Sequence, residues 1–117
     1  MTPCEIAEAI GARVLNPEVP IQACIDAVYA GDRMSDLLSH ASPTTLAVTN
    51  LASHQLMRAA ALMDVPAICL LHGVEPAPEV VAAAGEHGTA VLVSPLGMFE
   101  TCGRIYAQLS RERQAGK

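Results

Sequence analysis

Short apolar runs alternate with polar corners and amphipathic segments along most of this chain. The clearest unit spans residues 46–64, where an apolar run (LAV) is followed by a polar corner (TNLAS) and then by helical spacing over residues 54–64. Ser53 is the predicted N-cap of that helix. Its inward face is expected to carry Leu56, Ala59, Ala60 and Met63. A strand that turns through a polar corner into a helix is the repeating unit of α/β proteins.

The same alternation predicts the other elements. Strands are expected at residues 12–15, 23–30, 46–48, 67–71 and 90–93. Helices are expected at residues 3–10, 34–40, 54–64, 79–87 and 96–113. Because strands and helices alternate, we predict an α/β fold, a three-layer sandwich with a mostly parallel central sheet of about five strands.

The chain has the length and composition of one folded domain. It has 117 residues, of which 51% are hydrophobic and 16% are charged, so disorder is excluded. Aromatic residues are only 3%, which leaves aliphatic side chains to build the core. We predict a single α/β domain over residues 1–110 and a polar C-terminal tail over residues 111–117.

The charge and the hydropathy exclude two classes of partner. A net charge of −5 argues against nucleic acid, because phosphate binding needs a cationic face. No apolar run approaches the roughly 18 residues that a bilayer crossing requires, so a membrane is not an expected partner. The first residues lack the basic start and the long apolar run of a signal peptide, and we therefore expect a cytoplasmic protein.

The helix at residues 54–64 has more apolar surface than one sheet can cover. Met57, Ala61 and Leu62 lie partly outside its inward face. We expect a second copy of the chain to cover this surface around a two-fold axis, although the helix at 34–40 or the first helix could also cover it. In the final helix, the residues that recur at helical spacing are Phe99, Cys102, Gly103, Tyr106 and Leu109.

Polar side chains follow each of the four later predicted strands. The carboxyl ends of parallel strands meet at one edge of a sheet, where ligands bind, and we call this edge the strand-end rim. Carboxylate, hydroxyl, amide and imidazole groups there would suit a small polar ligand. The candidate ligand-binding residues are Asp32, Ser35, Asp36, Thr49, Asn50, Ser53, His54, His72 and Ser94. Each also has a structural explanation, because such residues are common helix caps and turn residues.

The sequence lacks the common motifs of enzymes and of metal-binding proteins. The phosphate-loop, dinucleotide-binding and nucleophile-elbow motifs are all absent, and the four histidines lack metal-site spacing. We therefore predict no catalytic residue and no metal ligand, and no cofactor can be named. One alternative is a small enzyme that uses His54 or His72 with Asp32 or Asp36. Another is a redox or metal module built from the scattered cysteines Cys4, Cys24, Cys69 and Cys102.

Several segments together resemble the DRTGG-domain family. They are residues 28–38 (VYAGDRMSDLL), 46–50 (LAVTN), 58–68 (RAAALMDVPAI) and 99–106 (FETCGRIY). The chain is most similar to the short stand-alone members, which are often encoded beside subunits of iron-only hydrogenases or electron-bifurcating complexes. Longer relatives carry the domain attached to phosphotransacetylase or to a CBS-domain pyrophosphatase. The fold that this resemblance implies is similar to the N-terminal domain of HPr kinase/phosphorylase.

The resemblance implies a homodimer with a regulatory or accessory role and no established catalytic residues. Its partners would be a second copy and a metabolic or redox enzyme, and its ligand could be a nucleotide. The naming string of the family, Asp-Arg-Thr-Gly-Gly, is expected near the corner after Val48, where this chain has LASH at residues 51–54. Asp32 and Arg33 lie at a different corner. The phosphate loop of HPr kinase belongs to a separate domain that this sequence does not contain.

Overall fold

The computed structural model describes residues 1–19 and 24–115, which form one five-stranded sheet between two layers of helices. The strands are β1 (Arg13–Val14), β2 (Ala27–Ala30), β3 (Thr45–Val48), β4 (Ala67–Leu70) and β5 (Ala90–Val93). The helices are α1 (Pro3–Ile10), α2 (Met34–His40), α3 (His54–Leu62), α4 (Pro78–Glu86) and α5 (Met98–Ala115). Their order across the sheet is β1-β5-β4-β3-β2.

The four later strands are parallel, and β1 pairs antiparallel with β5 at one edge. All residues of β3, β4 and β5 are buried, as expected for strands covered on both faces. One face packs against α1 and α5, and the other packs against α2, α3 and α4. The predicted three-layer α/β sandwich is confirmed.

Most predicted boundaries lie within two residues of the observed ones. Thr2 and Glu5 form the capping box of α1, and Gly11 ends it in the left-handed conformation with φ 74°. The strand predicted at 23–30 begins only at Ala27. The sequence also predicts a loop or edge strand at residues 18–22, and residues 20–23 lie outside the described residues. Helix α5 includes residues 111–115 of the predicted polar tail, whereas residues 116 and 117 are not described.

The apolar surface of α3 is smaller than the sequence predicts. Met57, expected outside the inward face, is 2% exposed and packs in the same core cluster as Leu56 and Ala60. Only Leu62, at 79% exposure, is a large apolar side chain of α3 that faces solvent. The part of the predicted second apolar surface that Met57 contributes is therefore covered within the chain, where α3 packs against the sheet and against α4.

The buried face of α5 also differs from the predicted spacing. Thr101, Ile105 and Leu109, which are four residues apart, are the side chains that α5 buries. Phe99 and Tyr106 are 90% and 70% exposed, so they are not part of the core. The residues that recur at helical spacing in the sequence belong to two neighbouring faces of this helix. The face without the aromatic rings is the one that packs against the sheet.

A buried asparagine continues the sheet beyond β1. The side chain of Asn16 donates through Nδ2 to the carbonyl of Thr89 at 2.9 Å and accepts through Oδ1 from the N–H of Val91 at 2.9 Å. Asn16 is 2% exposed. Pro17 follows and cannot donate a backbone hydrogen bond, so the Asn16 amide satisfies two backbone groups of the neighbouring strand.

Replacing Asn16 by alanine should lower the free energy of unfolding by about 2–4 kcal/mol, because two buried backbone groups lose their partners. Urea unfolding followed by circular dichroism measures this change. Asn50→Ala is the matched control, since Asn50 is exposed and its loss should cost less. Equal effects of the two substitutions would contradict this role for Asn16.

Candidate functional site

The parallel strands bring four corners to one edge of the sheet. Because β2, β3, β4 and β5 run in the same direction, the residues that follow them emerge on the same side. The strand-end rim predicted from the sequence therefore exists as a structural feature. Whether it binds a ligand remains a prediction, and the contacts of each candidate residue determine what it could contribute.

Asp32 joins the corner after β2 to the corner after β3. Its carboxylate accepts three hydrogen bonds, from Thr49 Oγ1 at 3.0 Å, from the backbone N–H of Asn50 at 2.7 Å and from Asn50 Nδ2 at 3.1 Å. Aspartate is a common helix cap, and Asp32 lies just before α2. Instead Arg33 occupies the N-cap position without a side-chain hydrogen bond, and Asp32 turns towards the neighbouring corner.

The hydrogen bonds from Asn50 hold the pKa of the Asp32 carboxyl below its usual value. The backbone N–H of Asn50 contributes most, followed by its side-chain amide, and partial burial opposes them. A carboxylate with a lowered pKa is a weak base, so the Asp32 carboxylate is poorly suited to abstract a proton. It suits a fixed negative charge that positions Asn50.

The other residues of the corner after β3 make ordinary turn and capping contacts. Thr49 is buried, and its hydroxyl oxygen also accepts from the N–H of Leu51 at 3.2 Å. Ser53 caps α3 as predicted, because its hydroxyl accepts from the N–H of Leu56 at 3.3 Å. His54 is the exposed first residue of α3. The N-terminus of α3 and an imidazole therefore lie just beyond Asn50.

His72 and Ser94 follow β4 and β5 with different exposures. His72 is exposed and has a positive φ of 59°, and a Cβ atom built on Gly97 would lie 3.0 Å from its Cε1. The imidazole thus rests against the backbone of Gly97. Ser94 is fully buried, and its hydroxyl pairs with Thr101 Oγ1 at 2.8 Å and accepts from the N–H of Leu96 at 3.1 Å. These contacts leave Ser94 little to offer a ligand.

Ser35 and Asp36 make their contacts within α2 and its cap. The carbonyl oxygen of Ser35 accepts from Ser39 Oγ at 3.1 Å, and Asp36 Oδ2 lies 3.8 Å from Arg33 Nε. The structure therefore brings Asp32, Thr49 and Asn50 into direct contact, with Ser53 and His54 in the same corner. His72 belongs to the next corner along the sheet.

Two features of the rim were not expected from the sequence. The Tyr29 hydroxyl donates to the carbonyl of Arg33 at 3.3 Å and covers Gly31, where a Cβ atom would lie 2.6 Å from it. The Tyr29 ring also stacks on His40, with 5.6 Å between centroids. Gly97 similarly provides the surface for His72. The glycines at these two corners were visible in the sequence as positions where another group could approach the backbone. A glycine does not, however, identify which side chain lies against it.

Three sizeable cavities in the described part of the chain lie away from the rim. One of about 740 Å³ lies between residues 18–19 and α4, and another of about 480 Å³ lies between α1 and α5. A third, of about 350 Å³, lies between β2 and α5. A ligand at the rim would therefore not occupy any of these three cavities.

The cysteines give little support to a redox or metal module. Burial raises the pKa of the Cys69 thiol to about 12 and also raises the pKa of Cys102. Cys4 and Cys24 are exposed. Among residues 1–19 and 24–115, no group of three or more His, Cys, Asp or Glu side chains is arranged to hold a metal ion.

No helix formed by the described residues combines the length and the apolar character that a bilayer crossing requires.

Thiol labelling should follow burial. With N-ethylmaleimide near pH 8, Cys4 and Cys24 should react first, Cys102 more slowly, and Cys69 only after unfolding, because the thiolate is the reactive form. Peptide mass spectrometry of a time course measures the order, and urea-unfolded protein is the control. Rapid labelling of Cys69 in the folded chain would contradict its buried position.

Replacing Asp32 by asparagine should lower the free energy of unfolding by about 1 kcal/mol near pH 7, since charge-assisted hydrogen bonds become neutral and the exposed site is screened. The folded-state pKa of Asp32 lies below its unfolded value of about 3.9. Its contribution is therefore present above that value and is lost as the pH falls through the folded pKa.

Urea unfolding at several pH values, with Asp36→Asn as the control, tests this dependence. The difference between the parent and Asp32→Asn should shrink below about pH 4. A difference that is unchanged in acid would show that the carboxylate charge is not what stabilises this corner.

Comparison with known proteins adds a structural likeness. No model of a known protein family matches the sequence, and a search of curated proteins finds no relative. A solved structure similar to this chain is the crystal structure of the CBS and DRTGG domains of the regulatory region of Clostridium perfringens pyrophosphatase, complexed with its activator diadenosine tetraphosphate.

That structure matches with a TM-score of 0.68 at 16% sequence identity over 89% of this chain. The chain corresponds to 45% of the length of the pyrophosphatase structure. At this identity the likeness concerns the fold. A structure that contains a DRTGG domain has the same architecture as this chain, which confirms at the level of fold the resemblance seen in the sequence.

Proposed function

We propose that this chain is a non-catalytic regulatory or accessory domain that senses a small polar ligand at the strand-end rim. The observation that carries the proposal is the Asp32 network, which fixes Asn50 at an exposed corner beside the N-terminus of α3. The likeness of the fold to a regulatory region supports the same function. We place the protein in the cytoplasm.

A nucleotide is the ligand class that we propose to test first. The structurally similar pyrophosphatase region was solved with diadenosine tetraphosphate. In the present chain, a phosphate group would bind at the N-terminus of α3 and beside the imidazole of His54, because helix N-termini favour anions. The negative charge of Asp32 would repel phosphate, so a sugar hydroxyl or a base would contact Asn50 and the free lone pairs of Asp32. His72 would border the ligand from the next corner.

The remaining residues of the predicted set would have supporting roles. Thr49 and Ser53 hold the corner and cap α3, and Asp36 and Ser94 stabilise their own turns. Ser35 contributes its backbone carbonyl to a hydrogen bond within α2. No step of catalysis is assigned to any of them. The lowered pKa of Asp32 supports this view, since this carboxylate is then a weak base near neutral pH.

The proposed domain acts as a homodimer and docks on a partner enzyme. The resemblance to short stand-alone DRTGG-domain members suggests a hydrogenase or an electron-bifurcating complex as the partner. A domain without its own chemistry can regulate only through such a partner, and ligand binding must then change its affinity for that partner.

Isothermal titration of the purified chain should detect micromolar binding of ATP, ADP, AMP or diadenosine tetraphosphate. Inorganic triphosphate serves as a probe for binding through phosphate alone. Asn50→Ala and His54→Ala should each weaken binding by about tenfold, which corresponds to one lost hydrogen bond to a charged or polar ligand group.

His87→Ala is the matched control, because His87 is an exposed histidine at the C-cap of α4 and precedes β5 at the opposite edge of the sheet. Its loss should leave affinity unchanged. Absence of binding at millimolar concentration, or equal weakening by His87→Ala, would overturn the proposed nucleotide site.

A further inference from the structure

Two of the three aromatic side chains in this chain are exposed on α5. The sequence has one Phe, two Tyr and no Trp. Phe99 is 90% exposed and Tyr106 is 70% exposed, whereas Tyr29 is partly buried against α2. Aromatic rings are the largest apolar groups that a chain can bury, and the core of this protein uses almost none of them. Their position on one helix indicates that the surface is normally covered.

The exposed rings form a continuous stripe with a glycine between them. Phe99, Gly103 and Tyr106 lie four and three residues apart and therefore occupy one face of α5, which we call the aromatic stripe. A Cβ atom on Gly103 would meet nothing within 4 Å, so the backbone is accessible there. The charged residues Glu100, Arg104 and Arg111 lie on the other flank of the helix by their spacing.

An apolar groove borders the aromatic stripe. This β2 groove has a volume of about 350 Å³, and its lining combines apolar residues such as Val28, Ile105 and Leu109 with Tyr106 and the charged residues Asp26 and Arg113. Strand β2 is at the edge of the sheet, and Val28 and Ala30 remain exposed beside α5. In the described part of the chain, no strand pairs with the outer side of β2. The groove therefore lies between α5 and an edge strand of the sheet.

We propose that a second copy of this chain docks on this surface, with the two α5 helices antiparallel across a two-fold axis near Gly103. The inference rests on the homodimer of the proposed function and names the surface that forms it. A two-fold contact requires a patch that complements itself. This patch has both parts, because Phe99 projects from it and the β2 groove can receive an apolar side chain.

The residue spacing fits the antiparallel arrangement. In an antiparallel helix pair centred between residues 102 and 103, Phe99 of one copy faces Tyr106 of the other, and Cys102 faces Gly103. The absence of a Gly103 side chain lets the helices approach closely at the crossing point. Glu100, Arg104 and Arg111 would remain at the edge of the contact in water, as is usual for charged residues at interfaces.

The available area suits a dimer of standard size. Phe99 and Tyr106, which are 90% and 70% exposed, together supply on the order of 240–400 Å² per copy, and a stable interface needs about 800 Å² per partner. The β2 groove and the exposed edge strand can supply the rest. The α3 surface expected from the sequence offers Leu62 as its only large apolar side chain among the described residues, which is too little for such a contact.

Light scattering after size exclusion tests the surface. The parent should be a dimer, and Phe99→Glu and Tyr106→Glu should each weaken dimerisation by about 100-fold or more, because each substitution acts twice in a two-fold contact. Leu62→Glu is the matched control, with the same change at a comparably exposed residue of α3, and it should leave the dimer intact. Circular dichroism confirms that each variant is folded.

The outcomes separate this surface from the proposed function. A dimer that survives Phe99→Glu but dissociates with Leu62→Glu would overturn the α5 surface and favour α3. A monomeric parent would overturn the dimer itself, while the nucleotide titration would still decide the ligand site.

A fluorescence measurement checks the same contact without disrupting it. The chain has no tryptophan, so Phe99→Trp introduces a single reporter. Its emission should shift to shorter wavelength with rising protein concentration, over the range in which the mass doubles. Leu62→Trp should show no such shift. An unchanged Phe99→Trp spectrum in a dimeric sample would contradict burial of this position.

Discussion

Burial of the central strands on both faces is the constraint from which the rest of the structure follows. β3, β4 and β5 consist almost wholly of apolar residues, and a strand of this kind needs a layer on each side. The helices α2, α3 and α4, which connect the parallel strands, provide one layer. α1 and α5, at the two ends of the described chain, provide the other. Parallel strand direction is a consequence of this arrangement.

Because the strands are parallel, the segments that follow them meet at the strand-end rim, and this rim must be stabilised. Four corners emerge at one edge, and their backbone groups must find partners outside the sheet. The Asp32 carboxylate meets part of this need by binding the backbone and side chain of Asn50, eighteen residues away. A fixed charge there serves the fold first. The same contact gives the corner its defined shape, which is the property that a binding site requires.

The sequence was most informative where one local pattern determines the outcome. The strand at 90–93 was predicted with its observed bounds because AVLV is apolar throughout and follows Gly88. The capping box of Thr2 and Glu5 is equally local. These features depend on a few neighbouring residues, so a single sequence contains enough information to predict them.

Contacts between distant residues could not be predicted in the same way. Asp32 was a reasonable helix cap by sequence, and only the position of β3 beside β2 offers it the stronger donors of Asn50. The two apolar faces of α5 are nearly equal in sequence, and the register against the sheet decides which one is buried. Asn16 likewise gains its role from Thr89 and Val91, which are more than seventy residues away.

The two proposed sites share a short piece of backbone. His72 rests on Gly97, its N–H donates to the carbonyl of Leu96 at 2.9 Å, and Phe99 lies two residues further along. A ligand that contacts His72 would therefore act on a residue that touches the segment just before α5. Displacement of α5 would alter the fit of Phe99 against a second copy. Ligand binding and dimerisation would then affect each other by equal free energies, which is the coupling that a sensing domain needs.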